Sequence, residues 1–296
     1  MRFDNLIAAP KYEFAASMID MVLDGKAVFA VIVGSGGVGK THLVKARERA
    51  KRVACVWITS HVTVAAFYRL LYENSEAVIV FDDADAALWS REFVNLLKSA
   101  TDDKKVRIVG YHTMKTLDAE SDLPSSFEFR GRIIVLSNEA LRSKNPHIAA
   151  LFSRGLKVDL SLTLSERLDF IRKLIVPKGY KGTTIEQRIE VFELLKVYSV
   201  MAPDELSLRT FKTVVDCFLQ DPGSVRNRLE VMFKADTPEG VALSVLLDPS
   251  IPGPRKPAEF CERTGMSRAS FFRYQKEQKE TVCQFELIGL PGSTGA

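Results

Sequence analysis

Apolar positions along this chain change character near residue 160. Before that point, short continuous apolar runs alternate with segments of helical spacing. Phe14, Met18, Met21 and Val22 lie on one face at helical spacing and predict a first helix, and the run Ala27–Val33, bounded by Gly25 and Gly34, predicts a buried strand. A glycine-rich turn leads into a helix from about Lys40, followed by a strand at Val53–Ile58 and a helix at Val64–Tyr72. A third strand, Ala77–Phe81, ends in two aspartates. Leu88–Leu97 reads as a helix, and Val106–Gly110, Ile133–Leu136 and Leu156–Leu160 read as strands. Between them, His112–Phe129 is a polar stretch too long for an ordinary connection, and such stretches often carry function. Strands apolar at every position are buried on both sides, so the expected architecture is α/β, a parallel sheet with helices on both faces.

From Ser165 onward the spacing is helical throughout, with Leu168–Ile175, Ile185–Met201, Leu208–Leu219 and Val225–Phe233 as successive helices. The segment Asp248–Pro257, DPSIPGPRKP, concentrates prolines where neither helix nor strand bonding is easily maintained, and reads as a linker. The expected organisation is therefore an α/β domain over residues 1–164, a helical domain over 165–247, and a small helical unit over 255–280 with a tail over 281–296.

Composition narrows the class. With 296 residues, 46% of them hydrophobic and a net charge of +4, the chain can bury enough apolar surface to offset its ordering entropy, which excludes disorder throughout. No apolar run approaches the ~20 residues that span a bilayer, and MRFDNLIAAPKYEF has no basic segment leading into an apolar one. A soluble, unexported, cytoplasmic protein is expected, with no membrane partner. Cys55, Cys217, Cys261 and Cys283 lie far apart, and His42, His61, His112 and His147 are equally scattered, so neither a disulfide framework nor a zinc site is expected.

The most specific signal is Gly34-Ser35-Gly36-Gly37-Val38-Gly39-Lys40-Thr41, a full match to G-x-x-x-x-G-K-[ST] between an expected strand and an expected helix. Glycines let the backbone wrap a phosphate and turn its N–H groups inward, and the helix start favours an anion. Lys40 would reach the β- and γ-phosphates of ATP, and the Thr41 hydroxyl would bind Mg²⁺. Asp82, at the carboxyl end of the strand in AVIVFDDAD, is positioned to serve that metal, and Asp83 to orient an attacking water. A solvated helix start is the plain alternative for Asp82–Asp85.

These residues resemble the AAA+ ATPases, and the likeness extends over roughly residues 1–235. The resemblance implies that Asn138, ending RIIVLSN, is the polar sensor-1 residue near the γ-phosphate. It implies that Arg154, in ALFSRGLKVDL, is an arginine finger completing a neighbouring subunit's site, and that Arg209, in LSLRTFK, is the sensor-2 arginine of a helical lid, with Arg226 in reserve. It also implies a homo-oligomer, a ring or open spiral and in the expected form a hexamer, with nucleotide bound between subunits. The chain order is similar to compact AAA+ proteins of tailed phages, which would place it in a host cytoplasm. One departure is chemical. The family usually has Glu where Asp83 stands, one methylene shorter, so slow hydrolysis is expected.

Lys256–Tyr274 reads as helix, turn, helix, with Gly265 at the turn and Ser267 capping the second helix. It resembles the helix-turn-helix of DNA-binding proteins, which implies a base contact from Arg268 and phosphate contacts from Arg273 and Lys276. A hairpin with a merely solvated basic face, or one that docks on a protein, is the competing reading. The function expected is an oligomeric, DNA-associated ATPase such as a helicase loader or a replication, recombination or transposition factor. The alternatives are an AAA+ protein-remodelling chaperone and a nucleotide-gated transcription regulator.

Overall fold

In the computed structural model, which describes residues 6–82, 90–111, 123–138, 146–199, 202–233, 237–247 and 251–279, the chain forms two units, Met1–Leu162 and Thr163–Ala296. The apolar runs of the first unit become β1 (Phe29–Val33), β2 (Cys55–Ile58), β3 (Val78–Phe81), β4 (Ile108–Gly110), β5 (Ser126–Glu128), β6 (Arg132–Ser137) and β7 (Leu156–Asp159). Five of these pair in the order β2-β3-β6-β1-β7, every neighbour parallel. The helices of this unit are α1 (Ala9–Leu23), α2 (Lys40–Lys51), α3 (Val64–Glu73), α4 (Arg91–Ala100) and α5 (Pro146–Phe152).

The central strands β1, β3 and β6 are apolar on both sides because each side is covered. Phe29, Val31, Val33, Ile79, Phe81, Ile133 and Val135 share one core with Phe67 and Leu71 of α3, Phe93 and Leu97 of α4, and Leu151 and Phe152 of α5. The alternate residues Ala30, Ile32, Ile134 and Leu136 are equally buried on the opposite face, where α1 packs on β1, β6, β7 and α2. Glu48 of α2 fastens that helix to β2, accepting from the Cys55 amide at 2.9 Å and Trp57 Nε1 at 3.3 Å. Burial and the Glu48 carboxylate push the Cys55 thiol up to about 12, so it stays protonated.

Two expectations need correction. The buried face of α1 is Tyr12, Ala15, Ile19 and Val22, whereas Phe14 is 53% exposed. Phe14, Met18 and Met21 follow a helical period, but the neighbouring α2 and β7 meet the other stripe. The strand expected at Val106–Gly110 is shorter and outside the main sheet. It pairs antiparallel with β5, which falls within the stretch read as a polar connection.

The start of β6 is fixed by a close approach. Arg107 is buried, donating to the Ala100 carbonyl at 2.6 Å and the Gly131 carbonyl at 2.8 Å, and its guanidinium lies 5.4 Å from the Phe129 ring centre. Burial, with Arg132 nearby, holds its pKa below the usual value. A Cβ on Gly131 would sit 2.5 Å from the Ala77 carbonyl oxygen, so only glycine fits between β3 and the turn into β6.

In the second unit, α6 (Leu164–Phe170), a π-helical turn (Ile171–Ile175), α7 (Ile185–Tyr198), α8 (Leu208–Gln220) and α9 (Val225–Met232) bury Leu168, Val191, Leu195, Phe211, Val214 and Leu229 together. Thr163 and Thr184 start α6 and α7 with reciprocal capping boxes. A further helix, α10 (Pro238–Leu247), adds Leu243 to this core. Its Ala242 and Val245 join a separate cluster with Phe260 of α11 (Lys256–Thr264) and Phe271 and Tyr274 of α12 (Arg268–Glu277). Pro257 lies in the first turn of α11, where its missing N–H costs nothing.

Gly131→Ala is expected to lower stability by about 1–3 kcal/mol through overpacking against the Ala77 carbonyl, read as a drop in the urea midpoint at unchanged slope. A midpoint equal to that of the parent chain would show that the turn into β6 has room to give.

Candidate active site

The sheet order sets the site. Strand β6 lies between β1 and β3, and all three run parallel, so their carboxyl ends present Gly34, Asn138 and Asp82 along one edge. Open α/β sheets place their ligand crevice at this edge. The Gly34 amide donates to the Ser137 carbonyl at 3.2 Å, tying the start of the glycine loop to the end of β6.

The loop has the geometry that its glycines predict. Gly37 and Gly39 have φ of 81° and 87°, the left-handed region that side chains rarely adopt. Among the described residues, the amides of Ser35, Gly36 and Gly37 donate to no backbone carbonyl, and open space lies beside Gly36. Unpaired amides in an open loop at the start of α2 suit an anion. Lys40, only 8% exposed, points its ammonium into the loop. Its Nζ donates to the Gly34 carbonyl at 2.6 Å, the Ser35 carbonyl at 3.2 Å and Asn138 Oδ1 at 2.8 Å. At the next residue of the same helix start, Thr41 Oγ1 donates to Asp82 Oδ1 at 2.8 Å. Four side chains separated by up to 98 residues therefore meet as two pairs, Lys40 with Asn138 and Thr41 with Asp82. A hydroxyl and a carboxylate oxygen at this separation are the hard oxygen donors a magnesium ion takes, so the residues present fit that ion beside a bound phosphate.

Sequence reasoning overlooked one residue of this site. Tyr12 of α1 is fully buried, and its hydroxyl donates to the Val38 carbonyl at 2.7 Å, bracing the glycine loop from beneath. Lys11 Nζ, beside it, reaches the Ser161 carbonyl at 3.0 Å just past β7. The signal lay in the second apolar stripe of α1, where a tyrosine among Ala15, Ile19 and Val22 needs a partner for its hydroxyl.

The remaining sequence-chosen residues lie elsewhere or beyond description. Asp83 lies outside the described residues. Arg154 sits in the turn before β7, at the opposite end of the sheet from the glycine loop, with the length of β7, about 13 Å, between the two levels. Its guanidinium donates to the Lys98 carbonyl at 3.1 Å and lies 4.0 Å from Asp102, still 42% exposed at the side chain. Geometry thus keeps it away from the loop of its own chain. Arg209, in the first turn of α8, is exposed and makes no side-chain hydrogen bond or ion pair among the described residues. The side chain of Arg226 on α9 lies outside the described ones. Arg268, Arg273 and Lys276 are all exposed on α12, which starts with a Ser267 cap after Gly265 at φ 70°.

No family model matches the chain. It is similar to an uncharacterized 36.7 kDa protein of the nrdC-mobD intergenic region of Enterobacteria phage T4, 25% identical over 228 residues that make up 71% of this chain and 70% of the phage protein. Among the described residues no helix is long and apolar enough to cross a membrane, and no cluster of three or more His, Cys, Asp or Glu side chains forms a metal site.

Tyr12→Phe is expected to cost about 1–2 kcal/mol, because it strands the buried Val38 carbonyl, whereas Phe14→Ser on the exposed side of the same helix is expected to stay within about 0.5 kcal/mol of the parent. Urea unfolding of the two variants decides whether α1 is braced on the glycine loop.

Proposed function

We propose that the chain is an ATPase of the AAA+ type that assembles through nucleotide sites shared between subunits and acts on DNA. The observation that carries this reading is the convergence of Lys40 with Asn138 and of Thr41 with Asp82 at the carboxyl edge of a parallel sheet, beside a glycine loop whose Ser35, Gly36 and Gly37 amides donate to no backbone carbonyl among the described residues. A glycine-rich turn without a ligand has no need of that convergence. In this reading Lys40 leaves the Gly34 and Ser35 carbonyls for the phosphate oxygens of ATP, and the loop amides hold the anion. Thr41 and Asp82 would hold Mg²⁺, which when bound neutralises charge on the phosphates. Asn138, already against Lys40, orients groups at the γ-phosphate, and Asp83 serves as the base for the attacking water.

The placement of Arg154 supports the shared site. A guanidinium at the opposite end of its own sheet is of no use to its own glycine loop and is free to serve another chain's. In the same reading, α6 to α9 form the lid and Arg209 reaches nucleotide from it. The basic exposed face of α12 supports DNA as the substrate, with Arg268 offered to base edges and Arg273 and Lys276 to phosphates. Resemblance to a phage-encoded protein agrees with a phage role in a host cytoplasm without specifying one.

Arg154→Ala is expected to lower ATP turnover about a thousandfold. Mixing that variant with Lys40→Ala chains should restore part of the rate, because each supplies what the other lacks. Mass in solution should rise with a slowly hydrolysed ATP analogue. A chain that stays monomeric with the analogue bound, or an Arg154→Ala chain of full activity, overturns the shared site. Asp83→Glu should raise turnover, and no rise would remove Asp83 from the base role. For the DNA arm, charge reversal at Arg273 and Lys276 is the suitable variant, because truncation of α11 and α12 would uncover Ala242 and Val245 of α10. DNA stimulation of ATPase activity should vanish in that variant, and stimulation by protein clients alone would favour the chaperone reading.

A further inference from the structure

The side of α12 that faces away from its packing partners carries an aromatic ring. Phe271 and Tyr274 turn inward against Phe260 of α11 and Ala242 and Val245 of α10. At 100° per residue, the direction opposite those two is occupied by Ala269, Phe272, Arg273 and Lys276, with Arg268 to one side. All of these are exposed, Phe272 by 54%. A lone exposed phenylalanine is commonplace on protein surfaces. This one lies about 50° to one side of the middle of the outward face, its ring edge-on to Phe271 with centroids 5.6 Å apart, between Arg268 a turn before it and Lys276 a turn after it. The Arg273 guanidinium is itself 4.9 Å from the Tyr274 ring centre, which holds it along the helix flank.

We infer that Phe272 is the base-reading residue of this helix, and that it contacts thymine methyl groups in the major groove of duplex DNA while the surrounding cations hold the phosphates. This rests on the proposal that α12 binds DNA and goes further by naming what is read. The occupant follows from charge complementarity. A face on which an exposed apolar ring stands among three cations matches a surface on which apolar groups lie between anionic chains, and an A·T-rich major groove is such a surface, its thymine C5-methyl groups flanked by phosphate chains. Arg268 would sit at the edge of that face and meet phosphate, so the specific contact shifts from Arg268 to Phe272. Ala269, one turn before Phe272 and nearer the middle of the outward face, leaves space beside the ring.

The test uses the full-length chain and two duplexes of equal length, one of alternating deoxyadenosine and thymidine, the other with deoxyuridine in place of every thymidine, measured by fluorescence anisotropy over a salt series. The parent chain is expected to bind the uracil duplex about fourfold more weakly for each methyl in contact, the factor that goes with one buried methyl group. Phe272→Ala should bind both duplexes alike, at the level of the parent on uracil, with an unchanged salt slope because its cations remain. Phe272→Leu should recover part of the preference. Thermal melting of both variants should match that of the parent, as the ring lies outside the core. Salt-dependent binding by the parent with no preference between duplexes overturns the role of Phe272 and leaves DNA binding standing. Failure of the parent to bind either duplex at low salt overturns DNA binding as well. A Phe272→Ala loss seen on single-stranded DNA or on anionic vesicles but not on duplex assigns the face to that other occupant and overturns the inference.

Discussion

Everything at the candidate site depends on how the ends of three parallel strands are levelled. Val33 pairs with Ser137, so Gly34 and Asn138 leave the sheet side by side. Phe81 pairs with Val135, so Asp82 leaves about two residues, roughly 7 Å, below Asn138. A single-residue slip of β6 would turn Ile133 and Val135 from one core to the other and withdraw Asn138 from Lys40 in the same step. Register, hydrophobic packing and site geometry are therefore one constraint. The glycine at 131 and the buried Arg107 matter because they fix where β6 begins, and hence where it ends.

Within that frame, the Lys40 ammonium is the most demanding group. A cation this buried requires oxygen partners, and the Gly34 and Ser35 carbonyls and Asn138 Oδ1 are among them. Neutral oxygens are weaker acceptors than a phosphate, whose bonds to an ammonium are shorter and about twice as strong. These contacts orient the lysine within the loop, and in the proposed reading it exchanges them for phosphate oxygens. Tyr12 acts on the other side of the same loop, holding the Val38 carbonyl down so that the neighbouring amides face outward. The two residues hold different carbonyls of one loop, Lys40 those of Gly34 and Ser35 and Tyr12 that of Val38.

The sequence was legible where chemistry is local. A glycine run with Lys and Thr, a strand ending in Asp82, and a Gly265 turn followed by a Ser267 cap each declare themselves within a few residues, because the conformations involved permit few residue types. It was less legible where two solutions satisfy the same pattern. Helix α1 is apolar on nearly every side, so periodicity alone gave Phe14, Met18 and Met21 equal standing with Tyr12, Ala15 and Ile19. Only the neighbouring α2 and β7 select between the stripes. Strand β5, Ser-Phe-Glu, has a single apolar residue and is made by pairing with β4. Helix α10 has no amphipathic stripe to find, because it is buried on more than one side.

That burial has a mechanical consequence. Leu243 of α10 belongs to the core built by α6 to α9, while Ala242 and Val245, one residue before it and two after, belong to the core of α11 and α12. A helix cannot tilt toward one of these cores without moving in the other, since both are close-packed and neither has a soft layer to absorb the shift. Helices α10 and α11 are thus joined by packing as well as by chain, Ala242 and Val245 meeting Phe260 in one cluster.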